Sequence, residues 1–128
     1  MTKTLFILND PPYGTERSYN GLRLAKAVSK QPGQEIRVFL MGDAVACAKA
    51  GQKLPDGYYN AADMVKMVAM AGEVGLCGTC MTARGIEDGR VFDCLLWWDN
   101  ALLPALRAHL PEAALLLVLR DPRDMLLQ

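Results

Sequence analysis

A chain of 128 residues can bury one hydrophobic core and is too short for two, so it reads as a single domain over residues 1–128. Lysine plus arginine equals aspartate plus glutamate at 14 each, which gives no pull towards nucleic acid or an anionic membrane. The apolar runs fall short of a membrane span, no signal-peptide core follows Met1-Thr2-Lys3-Thr4, and four cysteines do not make a secreted disulfide scaffold, so a soluble, cytoplasmic protein is expected.

Lys3 to Leu8 is a short apolar run that ends in Asn9-Asp10-Pro11-Pro12-Tyr13-Gly14, which fits a buried strand and a turn. From Thr15 to Lys30, Leu22, Ala25 and Val28 recur at helical spacing, Lys26 and Lys30 suit the negative end of the helix dipole, and Pro32-Gly33 ends the segment. Glu35 to Met41 reads as a second strand, and strand, helix, strand with a crossover of this length implies a right-handed parallel unit. Gly42 makes the exit turn, and Asp43 can cap a short helix through Ala50 that Gly51 closes. Cys47 inside it reads as packing, because nothing adjacent in sequence activates it. Gln52 to Tyr59, with Pro55, Asp56 and Gly57, is a surface loop of the kind that can cover a neighbouring site. Asn60 to Ala71 is the clearest helix, capped by Asn60, with Asp63 in its first turn and Gly72 as a left-handed stop. Met64, Met67 and Met70, spaced on it among alanines and valines, read as core or subunit contacts rather than a soft-metal box.

The next stretch, Glu73 to Gly85, organises the rest. Its front half reads as a short buried strand, and Thr79 to Arg84 can wind as a short helix that Gly85 stops. Cys77 then stands at the mouth of that helix and Cys80 one turn in, where unpaired N–H groups and the helix dipole favour a thiolate. Three readings of the pair stay open. Free cysteines are often merely buried hydrophobes. A zinc site needs further ligands, and Cys47, Cys94 and His109 have the wrong spacing. Thiol or persulfide chemistry is the third, with Cys77 as the better nucleophile. Covalent haem is excluded, since Met81 and not histidine follows Cys80.

From Gly89 the composition turns leucine-rich and lysine-free, with both tryptophans and the only histidine. Val91 to Ala108 can be written as a helix with Leu95, Leu102 and Leu106 inward, but Leu96, Trp97, Trp98 and Leu103 leave its outer face apolar and Pro104 interrupts it. Ala113 to Leu119 is the candidate closing strand, and Arg120 to Asp124 an exposed turn. Residues 89–128 read either as a hydrophobic oligomer contact or as the product of an altered reading frame, which resequencing the gene would decide. Cys94 is given no role.

With these residues in place, the chain resembles the DsrE/DsrF-like family of small sulfur-relay proteins. The likeness rests on Asn9-Asp10-Pro11-Pro12-Tyr13-Gly14-Thr15-Glu16-Arg17, on Val38-Phe39-Leu40-Met41-Gly42-Asp43, and on Cys77-Gly78-Thr79-Cys80 running into Ala83-Arg84-Gly85-Ile86. The resemblance implies an α/β fold, a single three-layer domain with a mainly parallel sheet of about five strands flanked by helices, and assembly into homo-oligomers, trimers or hexamers. It implies that the cysteine seven residues before the arginine of an Arg-Gly pair, here Cys77, accepts sulfur as a persulfide. Cys80 would then be the resolving thiol, and Asp10, Arg17 and Arg84 the substrate-binding side chains. Each of the last three also has a plain structural reading, in a turn, a first helical turn or a helix end.

The expected function is therefore sulfurtransferase or persulfide-carrier chemistry between sulfur donor and acceptor proteins or small thiols. It requires no metal or organic cofactor. The alternatives are a non-catalytic oligomeric binding module with structural or metal-binding cysteines, and a CxxC dithiol oxidoreductase without sulfur transfer.

Overall fold

The computed structural model describes residues 1–86 and the backbone of two later strands, Leu96–Trp98 and Ala114–Val118. In chain order these residues form β1 (Thr2–Leu8), α1 (Arg17–Ser29), β2 (Gln34–Leu40), a 3-10 helix (Gly42–Ala48), α2 (Ala61–Ala69), β3 (Glu73–Cys77), α3 (Gly78–Ala83), β4 (Leu96–Trp98) and β5 (Ala114–Val118). The five strands make one sheet in the order β4-β3-β2-β1-β5, every neighbouring pair parallel. This is the expected α/β class. All the carboxyl ends of the strands therefore lie along one edge, where loops gather in open parallel sheets.

Residue chemistry divides the two edges of the sheet. Near the amino ends, Lys3 faces its register partner Glu35 at 3.8 Å, and Arg37 faces its register partner Glu73 at 2.8 Å while also reaching Glu35 at 3.2 Å. Lys3–Glu35 and Arg37–Glu73 pair opposite charges across neighbouring strands in this register, and Arg37–Glu35 adds a pair within β2. Towards the carboxyl ends, Leu5, Phe6, Ile7 and Leu8 are all buried, although successive residues point to opposite faces, so both faces of β1 are covered. Val38, Phe39, Leu40, Val74 and Leu76 continue that core across β2 and β3.

α1 buries Leu22 and Ala25, and α2 buries Ala61, Ala62, Val65 and Val68. The Asn60 side chain caps α2 as expected, its Oδ1 accepting the Asp63 N–H at 3.2 Å. Met64 packs against the core, whereas Met67 and Met70 stay exposed. Among the described residues no helix is long and apolar enough to cross a membrane.

Three expectations need correction. The helix drawn over Asp43 to Ala50 is a 3-10 helix that ends at Ala48, because Lys49 turns into extended backbone. Gly72 is not a left-handed stop: it is absent from the glycines with positive φ, and a Cβ there would strike the Ile36 carbonyl oxygen and lie 3.1 Å from its carbon. Its hydrogen side chain lets the chain pass against β2 on the way into β3. Leu96–Trp98 is strand rather than part of a helix over Val91 to Ala108. The unpaired edge of β3 offers backbone partners to a run of leucine and tryptophan that suits a strand, and Gly75, Leu76 and Cys77 align with Leu96, Trp97 and Trp98. β2 lies between β1 and β3. β5 falls within the expected Ala113 to Leu119 and pairs with the other edge of β1. The remainder of the expected helix, Cys94, His109 and the turn at Arg120 to Asp124 lie outside the described residues.

Candidate functional site

β3 gives way to α3 without a loop, so Cys77 is at once the last strand residue and the N-cap of the helix. Its backbone is extended, at φ −70 and ψ 109, and its Sγ accepts the Cys80 N–H at 3.3 Å. Sulfur thus does what an oxygen does at most N-caps, satisfying an amide that the helix leaves unpaired. α3 begins one residue earlier than expected and ends at Ala83, with Arg84 as its C-cap; Gly85 follows, whose φ of 64 permits the left-handed turn, and the Ile86 N–H returns to the Met81 carbonyl at 3.0 Å.

Two features of the resting protein work against the low-pKa thiol expected at Cys77. Burial pushes that thiol up, because removing a thiolate from water costs more than removing a thiol. A side-chain hydrogen bond with Cys80 adds to the rise, while the N–H groups of Cys80 and Thr79 oppose it without reversing it. Cys77 is only 7% exposed, and Cys80 is half-buried at the rim of the core. Among the described residues neither thiol is in a disulfide.

Arg84, the C-cap of α3, reaches the 3-10 helix that follows β2. Its Nε and Nη2 both donate to Asp43 Oδ1 at 3.0 Å, and its Nη1 donates to the Cys80 carbonyl at 3.1 Å. One guanidinium thereby clamps the end of α3 to the 3-10 helix after β2 and covers a carbonyl that the short helix leaves open. Asp43 was expected only as a cap. The Gly42-Asp43 pair that follows a strand, and so lies on the carboxyl edge of the sheet, is the sequence signal that could have marked it.

Asp10 is fully buried in the turn after β1. Its Oδ2 accepts from Arg17 Nη1 at 3.3 Å and from the Thr15 hydroxyl at 3.2 Å, and its main-chain carbonyl accepts the Ser18 hydroxyl at 2.6 Å. Among the described residues its Oδ1 has no hydrogen-bond partner. Asp10 and Arg17 are therefore together, as are Cys77, Cys80 and Arg84. The two groups sit at the ends of β1 and β3, roughly 10 Å apart if measured as two strand spacings.

Cys47 is fully buried, and burial pushes its thiol up to about 12 against a smaller opposing hydrogen bond from Ser18. The loop Gln52 to Tyr59 is fastened to its surroundings: Gln52 Nε2 donates to the carbonyls of Ala46, Cys47 and Lys49 at 2.9 to 3.2 Å, and Tyr59 donates to the Pro12 carbonyl at 2.8 Å. The Tyr13 hydroxyl donates to Gln52 and accepts the Ala61 N–H, and the Tyr59 ring stacks on Tyr19 at 4.1 Å between centroids. This aromatic cluster escaped the sequence reading, because its members come from three separate segments. Among the described residues no group of three or more His, Cys, Asp or Glu side chains is placed to hold a metal ion.

Comparison with known proteins agrees with this fold. The chain is 42% identical over 89 residues to protein YchN of Escherichia coli, an alignment covering 68% of this chain and 75% of that protein. It is 35% identical over 83 residues to an uncharacterised protein of Methanopyrus kandleri, covering 64% of this chain and 67% of that one. The crystal structure of YchN superposes with a TM-score of 0.79 at 32% identity, covering 91% of this chain and all of that one. A protein of unknown function from Methanobacterium thermoautotrophicum has a TM-score of 0.69 at 12% identity, a likeness of fold alone, covering 91% of this chain and 99% of that one. The model of the DsrE/DsrF-like family matches residues 2–106, and the chain belongs to that family.

Proposed function

We propose that the protein carries sulfane sulfur as a persulfide on Cys77, with Cys80 as the resolving thiol. The observation that carries this reading is the placement of two thiols, neither in a disulfide among the described residues, within one turn, the first at a strand-to-helix junction on the carboxyl edge of the sheet and hydrogen-bonded by the second residue's N–H. The same amide that holds the Cys77 sulfur in the resting state favours negative charge on it when sulfur is passed on. In the resolving step, the Cys80 thiolate attacks the inner sulfur of the Cys77 persulfide. A Cys77–Cys80 disulfide forms, the outer sulfur leaves as hydrogen sulfide, and the two electrons gained by that sulfur come from the two thiols.

Arg17 and Arg84 supply positive charge along the same edge, held by Asp10 and Asp43 respectively. In this reading a sulfur donor and acceptor, proteins or small thiols, meet the chain at that edge. The proposal extends to a homo-oligomer: Leu24 on α1 and Met67 on α2 are exposed on two helices packed together, with Met70 just beyond α2, and supply apolar surface for a second copy.

The test is intact-protein mass spectrometry after exposure to thiosulfate or polysulfide, on wild type, Cys77→Ser and Cys80→Ser. Gain of one sulfur that fragmentation of the wild-type peptide places on Cys77 is the expected result. An unchanged mass, or wild-type sulfur held only on other cysteines, would contradict the proposal. A second reading, dithiol oxidoreduction, is favoured by the side-chain hydrogen bond between the two thiols, and it requires a reversible disulfide with no persulfide.

A further inference from the structure

We infer that Cys80, not Cys77, is the thiol that first meets the sulfur donor, and that Cys77 receives the sulfur from Cys80. This rests on the persulfide reading above and adds the order of the two thiols.

The geometry sets the order. Cys77 is the last residue of a strand whose neighbours Val74 and Leu76 are core, it is itself 7% exposed, and its Sγ is engaged by the Cys80 N–H. An incoming donor must approach the attacking sulfur along the line of the bond it will break. A sulfur so covered offers little room for that approach. Cys80, one helical turn on, is half-buried at the rim and touches the Cys77 thiol through its own side chain. The pair is therefore an outer thiol leading to an inner one.

Two balanced steps follow, with thiosulfate as the donor. The Cys80 thiolate attacks the sulfane sulfur, an S–S bond forms, and sulfite departs with the electron pair of the bond that breaks. The Cys77 sulfur then attacks the outer sulfur of the Cys80 persulfide. Cys80 leaves as the thiolate and takes up the proton that Cys77 gives up. Neither step needs an oxidant or a reductant beyond the donor. A carrier built this way keeps its loaded sulfur away from water while its loading thiol stays within reach of it.

The experiment compares the rate of sulfur gain at Cys77 in wild type and in Cys80→Ser and Cys80→Ala, followed by intact and peptide mass after mixing with thiosulfate. A drop of at least about tenfold in both variants is expected, because the inner thiol must then meet the donor directly. Cys77→Ser should still gain sulfur at Cys80, since a serine at the N-cap keeps α3 in place. In the native wild type a small haloacetamide should label Cys80 before Cys77. Sulfur gain at Cys77 in both Cys80 variants at the wild-type rate, or labelling of Cys77 first, would overturn the order and leave the persulfide proposal standing. A wild type that gains no sulfur at all would overturn both.

Discussion

The sulfur of Cys77 accepts the backbone N–H of Cys80 at 3.3 Å, so the proposed reactive atom is also a structural cap. Replacing it therefore tests two roles. Cys77→Ser keeps an acceptor at the N-cap and should leave the midpoint of urea unfolding close to wild type. Cys77→Ala removes the acceptor and should cost about 1 kcal/mol, the usual range for a lost cap. Equal stabilities for the two variants would show that the cap contributes nothing.

Arg84 joins α3 to Asp43 through partly exposed side chains, so its loss should cost only about 0.5–1 kcal/mol in denaturant unfolding. Arg84→Lys should not restore that loss, because an ammonium cannot donate to Asp43 and to the Cys80 carbonyl in the fixed geometry of the guanidinium fork. Full recovery with lysine would contradict the clamp.

Gly72→Ala is expected to be more damaging than either, by roughly 2 kcal/mol or more, since the added carbon meets main chain of β2 that cannot swing aside. The control is Gly57→Ala in the surface loop, where no atom lies near the new carbon and only the positive φ, at 85, resists the change. Comparison of thermal midpoints separates steric contact from backbone strain.

β1, β2, β3 and β5, the three α-helices, the Asn60 cap and the place of Cys77 at the mouth of α3 were legible in the sequence, because each depends on residues within a few positions of one another. Sites that depend on distant segments were not. Gly72 looks like a helix stop until Ile36 is seen beside it, and Asp43 looks like a cap until Arg84 arrives from the far side of α2 and β3. Leu96–Trp98 reads as helix by local pattern and becomes strand where β3 offers an edge. The pKa of Cys77 divides in the same way. The helix end is visible in the sequence, whereas the burial that opposes ionisation is a property of the assembled core.

Burial of thiols gives the protein an alkaline limit. Cys47 has an ordinary value of 9.0 and a folded value of about 12. Below 9 both folded and unfolded chains hold the proton and the group contributes no slope. Between 9 and about 12 the unfolded chain has released the proton while the folded chain retains it, so stability falls with rising pH, by roughly 1.4 kcal/mol per pH unit for one such group. Cys77, and Tyr59 through burial first and the nearby Glu16 second, shift in the same direction. Urea midpoints measured at about pH 8 and about pH 10 should fall with pH, and Cys47→Ala should lessen the fall. A slope unchanged by that substitution would contradict the assignment.

The most direct measurement locates the sulfur. The protein is loaded with polysulfide, its remaining thiols are trapped with an alkylating reagent, and its peptides are weighed. One extra sulfur on the peptide bearing Cys77, lost when the loaded protein is mixed with an acceptor thiol, is the expected result. An extra sulfur confined to Cys47, or none on any cysteine while the fold is intact, would contradict the account.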